Sequence, residues 1–301
     1  MSAAHMHASA WAFGDKDVWP GDGPEPSAAE RERLAKEKIA GFYRTDEAPW
    51  RIAARSAAET LRRAARRPDL VLYACESIDD RVDLRRDPDR FAEAIGADHV
   101  PLMLVTANVC ANFGALLRVA RNHVLTGDAR DVLVVTTDVW GGGSRLIDAG
   151  TCLMSDAAAS VMVSADAPAE GWRVGPVVQA ADHTMHSLDP AEDSIAMVRG
   201  TVGGIQRATE GFFAPGPGGD REDYPIVVAG NVGTTVLRLL AAGGRLDLDR
   251  FVTRTEQNGH CFAADLVVNL AEVEDEVPAG GRVLGLSTGH NYWTCVAFER
   301  V

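Results

Sequence analysis

Positive charge is in short supply in this sequence. Its 30 Lys and Arg face 43 Asp and Glu, a formal net charge of −13 over 301 residues. That balance excludes the basic stripe of a nucleic-acid groove and the polybasic patch of an anionic-membrane contact. A local anion site needs only a few arginines and is not excluded. No run approaches the roughly 18 apolar residues that would span a bilayer. The first residues, Met1 to Met6, lack a basic segment followed by an apolar one, so no signal peptide is expected and the chain is expected to be cytoplasmic. The five cysteines, Cys75, Cys110, Cys152, Cys261 and Cys295, are odd in number and form no C-x-x-C spacing, which argues for reduced thiols and against a metal cluster. His183 and His186 could share a metal, but no third ligand follows them, and no metal is expected. Gly141-Gly142-Gly143 lacks the Lys-Ser/Thr of a phosphate loop and reads as flexible chain.

What the sequence does have is a full core: 46% hydrophobic residues against 24% charged. Residues 6–14 read as a first strand and Asp17–Pro26 as a surface loop. Ser27–Gly41 reads as a helix with Ser27 as N-cap and Gly41 as its stop. Ala48–Arg67 reads as a longer helix with Ile52, Ala53, Ala57 and Leu61 inward. Its basic end (Arg62, Arg63, Arg66, Arg67) suits a helix C-terminus; contact with a CoA or carrier phosphate is the functional alternative. Leu70–Ala74, Val132–Thr136, Ser155–Ser164 and Trp172–Ala181 read as strands. Gly200–Asp223, glycine-rich with a Pro-Gly-Pro-Gly-Gly run, is expected to be a mobile loop over a tunnel mouth.

The stretch from Val105 to Ala120 (VTANVCANFGALLRVA) carries a strand end, a turn with Cys110 and an amphipathic helix. A thiol at a helix entry sits among unpaired N–H groups at the positive end of the dipole, where thiolate is favoured. A packing cysteine is the alternative for a lone thiol. An internal echo adds weight to the first reading. Setting Val109-Cys110-Ala111 on His260-Cys261-Phe262 places Leu116 on Val267, Ala120 on Ala271 and Val132-Leu133 on Val283-Leu284. Leu70–Tyr73 has its counterpart in Ile226–Ala229. Repetition of one α/β unit at half-length implies two pseudo-symmetric βαβ-rich halves, divided here as residues 1–168 and 169–301.

The Cys110 motif, the strand Asp131–Asp138, Ser155-Asp156-Ala157-Ala158-Ala159 and the Gly285–Asn291 loop together resemble the thiolase-fold condensing enzymes, in particular the ketoacyl-acyl-carrier-protein synthase III branch. The resemblance runs over about residues 65–301. It implies an α/β thiolase-like fold layered α-β-α-β-α, a homodimer, no resident cofactor, and an acyl group delivered on CoA or an acyl carrier protein. It also implies a nucleophile at Cys110 and a backbone oxyanion site at Cys110 and Gly289. The chain departs from the family where it matters most. That branch pairs its cysteine with a His and an Asn, but the His segment here reads Val228-Ala229-Gly230-Asn231, without histidine. The Asn place is taken by His260.

Decarboxylative condensation needs two donors on the malonyl carbonyl, and only one imidazole is in sight. Acyl transfer to a hydroxyl or amine needs a thiolate, a base and an oxyanion site, which Cys110 and His260 can supply. His290 and Asn231 are secondary candidates, as a second base or an amide donor. Asp265, five residues after His260, is awkwardly placed to orient that ring. The other four cysteines read as packing residues. Three readings follow: a Cys110-dependent acyltransferase to a small-molecule acceptor, a C–C condensing enzyme, and an inactive partner of one. The retained thiol speaks against the last.

Overall fold

The computed structural model describes residues 3–21, 27–77, 81–147, 150–189 and 192–301. Ten strands make one sheet: β1 (His5–Phe13), β2 (Leu70–Ala74), β3 (Leu102–Leu104), β4 (Asp131–Asp138), β5 (Ala157–Ser164), β6 (Trp172–Ala181), β7 (Ile226–Ala229), β8 (Phe251–Val252), β9 (Arg282–Thr288) and β10 (Tyr292–Arg300). In space they run β8-β7-β9-β10-β6-β1-β5-β4-β2-β3. The first five strands and the last five have the same order and the same polarity. β2 is parallel to β3 and β4, while β4–β5 and β5–β1 are antiparallel. β7 is parallel to β8 and β9, while β9–β10 and β10–β6 are antiparallel. Even the register repeats, with Leu70 opposite Val132 and Ile226 opposite Val283. The two sets meet only at the short antiparallel pairing of His5 with Arg173 and Met6 with Trp172.

The helices are α1 (Ala28–Lys36), α2 (Pro49–Ala64), α3 (Asp87–Ala94), α4 (Asn112–Thr126), α5 (Ser194–Phe212), α6 (Thr234–Gly244), the short α7 (Thr255–Asn258) and α8 (Asp265–Glu272). Parallel neighbours in a sheet need crossover helices, and these sort into layers. α2 covers β1, β4 and β5 on one outer face and α5 covers β6 and β10 on the other, while α4 and α8 each touch strands of both sets. The result is the α-β-α-β-α order of a thiolase-like fold. Strands buried on both faces read as continuous apolar runs, and every residue of β2, β4 and β5 is buried. The central layer joins Leu116, Leu117 and Ala120 of α4 to Val267 and Leu270 of α8 in one core with Trp172 and Phe298. Among the described residues no helix is long and apolar enough to cross a membrane.

Four local expectations change. The helix capped by Ser27, whose Oγ accepts the Glu30 N–H at 3.2 Å, stops at Lys36. Gly41 opens a strand instead, Gly41–Arg44, paired with Asp15–Val18. That pairing takes Asp17 and Val18 out of the expected loop, whose residues 22–26 lie outside the described ones. Much of the expected mobile segment, Gly200–Phe212, is the second part of α5, with Ile205, Ala208, Thr209 and Phe212 buried at helical spacing. Its glycines serve close packing: a Cβ on Gly204 would lie 2.3 Å from the Trp293 ring.

The fourth change concerns the internal repeat. Each half has a 3₁₀ turn feeding its central helix, Val109–Ala111 before α4 and Phe262–Ala264 before α8. Each turn opens on a non-glycine residue in the left-handed region, Val109 (φ 50°) and Phe262 (φ 53°). The backbone therefore matches Val109 with Phe262 and Cys110 with Ala263, two residues later than the apolar pattern suggests. α8 is apolar on most of its sides, so a slip of two still lines up hydrophobic residues. The second half carries no thiol at the place that matches Cys110.

Gly204→Ala should cost about 1–3 kcal/mol through overpacking against Trp293. Urea unfolding of the two proteins reads that difference, and an unchanged midpoint would show that the helix stands further from β10 than described.

Candidate active site

Cys110 sits half-buried in the middle of its 3₁₀ turn. The turn is held from several sides. The Glu76 carboxylate accepts the Thr106 hydroxyl at 2.6 Å and the Ala107 N–H. The Ser287 hydroxyl donates to the Cys110 carbonyl at 3.1 Å. Gly289 lies close beneath, where a Cβ would come within 2.7 Å of the Asn108 carbonyl oxygen. A β-branched residue at positive φ is a real outlier, and these contacts keep Val109 there. Cys110 packs against a small apolar cluster of Cys152, Met154 and Phe262, against which Trp140, Ile147 and Val232 also pack.

His260 comes from the other half and is gripped by the first. Its N–H donates to the Leu153 carbonyl at 2.7 Å and its carbonyl accepts the Ser155 N–H at 2.9 Å. Gly259 (φ +61°) has room for no side chain, since a Cβ would meet the Leu153 oxygen at 2.7 Å. The Ser155 hydroxyl donates to the Asn258 carbonyl and accepts the Tyr43 N–H at 3.0 Å. Buried Asp156 takes both guanidinium nitrogens of Arg145, at 2.9 and 2.8 Å, with the N–H groups of Trp140 and Thr45. The Ser155-Asp156 segment is thus the clamp through which one half positions the imidazole of the other.

The imidazole bridges two groups. Nε2 lies 3.1 Å from Cys110 Sγ, and Nδ1–H donates to Asp265 Oδ2. Asp265 looked badly placed five residues downstream, but the left-handed Phe262 folds the chain back and brings the first residue of α8 under the ring. The same carboxylate accepts the N–H groups of Asn231 (2.7 Å) and Cys261 (2.8 Å) and the Asn231 side-chain amide (2.9 Å). A carboxylate is at home among the free N–H groups of a helix start. The sequence signal that could have found it is an acidic residue opening the helix just after His260.

Asn231 does not reach the sulfur. Its amide is spent on Asp265, and its oxygen accepts the Arg254 N–H at 2.6 Å and the Asn269 amide at 2.9 Å. His290 turns away to the Met185 carbonyl, with Nε2 3.2 Å from that oxygen. The Gly289 N–H donates to the Tyr292 carbonyl at 2.8 Å and closes the β9–β10 hairpin, so it is not the oxyanion donor expected of it. In the alternation of antiparallel pairs, Thr288 opposite Trp293 is then a pair without mutual hydrogen bonds. Its N–H therefore points away from β10, and Thr288 also lines a small cavity with Cys110 and His260. Burial pushes Cys75 and Cys295 up to about 12 and Cys261 well above the usual thiol range, as suits packing residues.

Burial alone would lower the His260 pKa; electrostatic contact with Cys110, Cys152 and the Asp265 carboxylate outweighs it and holds the ring well above its usual 6.5. The charged ring therefore adds stability in full below pH 6.5, and that contribution fades as pH rises through the elevated folded value. Cys110→Ala removes the first of those neighbours. The His260 ring-proton titration, followed by NMR, should then move to lower pH. An unmoved midpoint would mean that sulfur and ring are not coupled.

Comparison with known proteins comes last. The model of the family described as 3-Oxoacyl-[acyl-carrier-protein (ACP)] synthase III matches residues 106–183. Among curated proteins, sequence comparison finds no match. Solved structures resemble the chain over almost its whole length. 3-Oxoacyl-(acyl carrier protein) synthase III, FabH, from Pseudomonas aeruginosa has a TM-score of 0.80 at 18% identity, covering 99% of this chain and 98% of the other. ChlB3, described as an acyltransferase, has a TM-score of 0.80 at 18% identity, covering 99% and 97%. OleA from Xanthomonas campestris has a TM-score of 0.77 at 13% identity, covering 99% and 98%. At these identities the likeness is one of fold.

Proposed function

We propose that this chain, a thiolase-fold protein with a 3-oxoacyl-acyl-carrier-protein synthase III segment around its cysteine, is an acyltransferase that moves an acyl group from CoA or an acyl carrier protein to a small-molecule hydroxyl or amine. The observation that carries the reading is the row Cys110–His260–Asp265, in which one imidazole has a thiol on one nitrogen and a carboxylate on the other. The carboxylate fixes the tautomer and supports the imidazolium that forms when the ring takes a proton. That is the equipment of a general base, whereas stabilising a malonyl enolate calls for two donors on one carbonyl. Gly230 and Asn231 occupy the segment where the second donor would stand, and Asn231 is committed to Asp265.

In the first half-reaction the Cys110 sulfur attacks the donor thioester and the departing thiol leaves protonated from His260. In the second, the acceptor gives its proton to His260 Nε2 as it attacks, and the Cys110 thiolate departs. The Cys110 and Thr288 N–H groups are the natural donors to the tetrahedral oxyanion. The reading includes a second copy of the chain across the open edge of β3, where Met103 and Leu104 are 43% and 37% exposed. Light scattering should give twice the chain mass; a monomer mass would remove that part alone.

Intact-protein mass spectrometry with a panel of acyl-CoA donors tests the rest. The wild type should gain one acyl adduct and Cys110→Ala none, and His260→Ala should slow turnover by about 10²–10⁴-fold. An adduct that survives Cys110→Ala, or carbon dioxide released from a malonyl thioester in step with product, would overturn the assignment.

A further inference from the structure

Asp138 closes β4 with a buried carboxylate, 2% exposed, that the chemistry above does not use. Its Oδ1 accepts the Glu76 N–H at 2.7 Å and the Ser77 hydroxyl at 3.2 Å, and Ser77 Oγ in turn accepts the Val139 N–H at 2.7 Å. One carboxylate and one hydroxyl thus stitch the exit of β2 to the exit of β4. Glu76, fixed by its backbone in that stitch, reaches the opposite way. Its own carboxylate accepts the Thr106 hydroxyl and the Ala107 N–H, where the chain leaves β3. Ala107 (φ 71°) and Val109 (φ 50°) are both left-handed without being glycine. Such conformations persist only where the surroundings over-determine them, and the line Asp138–Glu76–Ala107 reaches this turn from the interior of the sheet.

We propose that Asp138 is a positioning residue for the nucleophile: it fixes Glu76, and through Glu76 the turn that sets Cys110 Sγ 3.1 Å from His260 Nε2. The role rests on the Cys110–His260 pair of the proposed function and on no particular donor or acceptor. Among the described residues no cation pairs with Asp138, and burial pushes its carboxyl up to about 7 against the pull of the Glu76 and Ser77 hydrogen bonds. Glu76, Cys75 and Tyr73 face it from β2 and its exit. Asp87, at the start of α3, faces the same Tyr73 and Cys75 but is bonded to Arg90. Asp156, ahead of β5, is taken up by Arg145. A carboxylate accepts hydrogen bonds more strongly than the neutral acid, so the turn is held fast above about pH 7 and slackens below it.

Iodoacetamide reads the placement without any acyl group, because it labels the thiolate that His260 stabilises. Alkylation of Cys110 is followed by peptide mass across the neutral pH range in wild type and in Asp138→Asn, which keeps the shape of the side chain and cannot ionise. The ratio of wild-type to variant rate should be close to unity at the acid end, where both side chains are neutral. It should climb about tenfold as pH passes about 7 and then level, since one unit in the thiol's pKa is tenfold in thiolate. Thr106 is exposed, so Thr106→Val cuts the far link without opening the core. Its alkylation should slow severalfold, and Thr106→Ser, which keeps the hydroxyl, should restore it. A ratio flat with pH, or wild-type alkylation of Thr106→Val, would each remove Asp138 from this role; the Thr106 pair decides it alone should Asp138→Asn fail to fold. An acyl adduct missing from the loading experiment, with the ratio as expected, would strike the acyltransferase reading and leave Asp138 its place.

Discussion

The carboxylate of Asp265 is the point on which the site depends. It is buried at the first turn of α8 and accepts hydrogen bonds from two backbone N–H groups, one amide and one imidazole. Leaving a buried charge short of partners is expensive, so the surroundings of Asp265 are closely constrained. Asn231 must stand at the end of β7, Cys261 must follow His260 into the turn, and the ring must lie with Nδ1 toward the oxygen. Once those are set, Nε2 has only one way to face, and it faces Cys110.

That arrangement needs both halves of the molecule. The thiol belongs to the first set of strands and the imidazole and carboxylate to the second. The repeat places a sharp turn with a left-handed residue at the head of each central helix. One such turn presents Cys110, while the matching position in the other is Ala263 and the functional residues lie on either side of it. An old symmetry of the backbone has been used asymmetrically. The first half keeps hold of the second through Ser155, whose backbone and hydroxyl grip the His260 segment. Separate motion of the halves would break the Cys110–His260 contact, so the large shared core between α4 and α8 holds that pair together as well as stabilising the fold.

The chemistry follows from what the imidazole is bound to. A ring between a thiol and a carboxylate can take and return a proton repeatedly, which is what acylation and deacylation of one sulfur demand.

Much of this was legible in the residues themselves. Apolar runs marked the strands of β2, β4, β5, β6 and β7, the half-length repetition announced two similar units, and Cys110 and His260 stood out by type and position. Composition is read locally, and so was misled at Gly200–Phe212, where glycines looked like flexibility. Only the packed Trp293 shows that they allow a helix to come close. The carboxylate of Asp265 was marked down for the same reason: a spacing of five is judged on a straight helix, and a left-handed Phe262 is a product of tertiary packing. Side-chain chemistry was thus determined by the chain alone. Which groups meet, down to the Gly289 N–H closing the β9–β10 hairpin, was decided by the pairing of strands and the crossing of two halves, because hydrogen-bond direction exists only once the partners are in place.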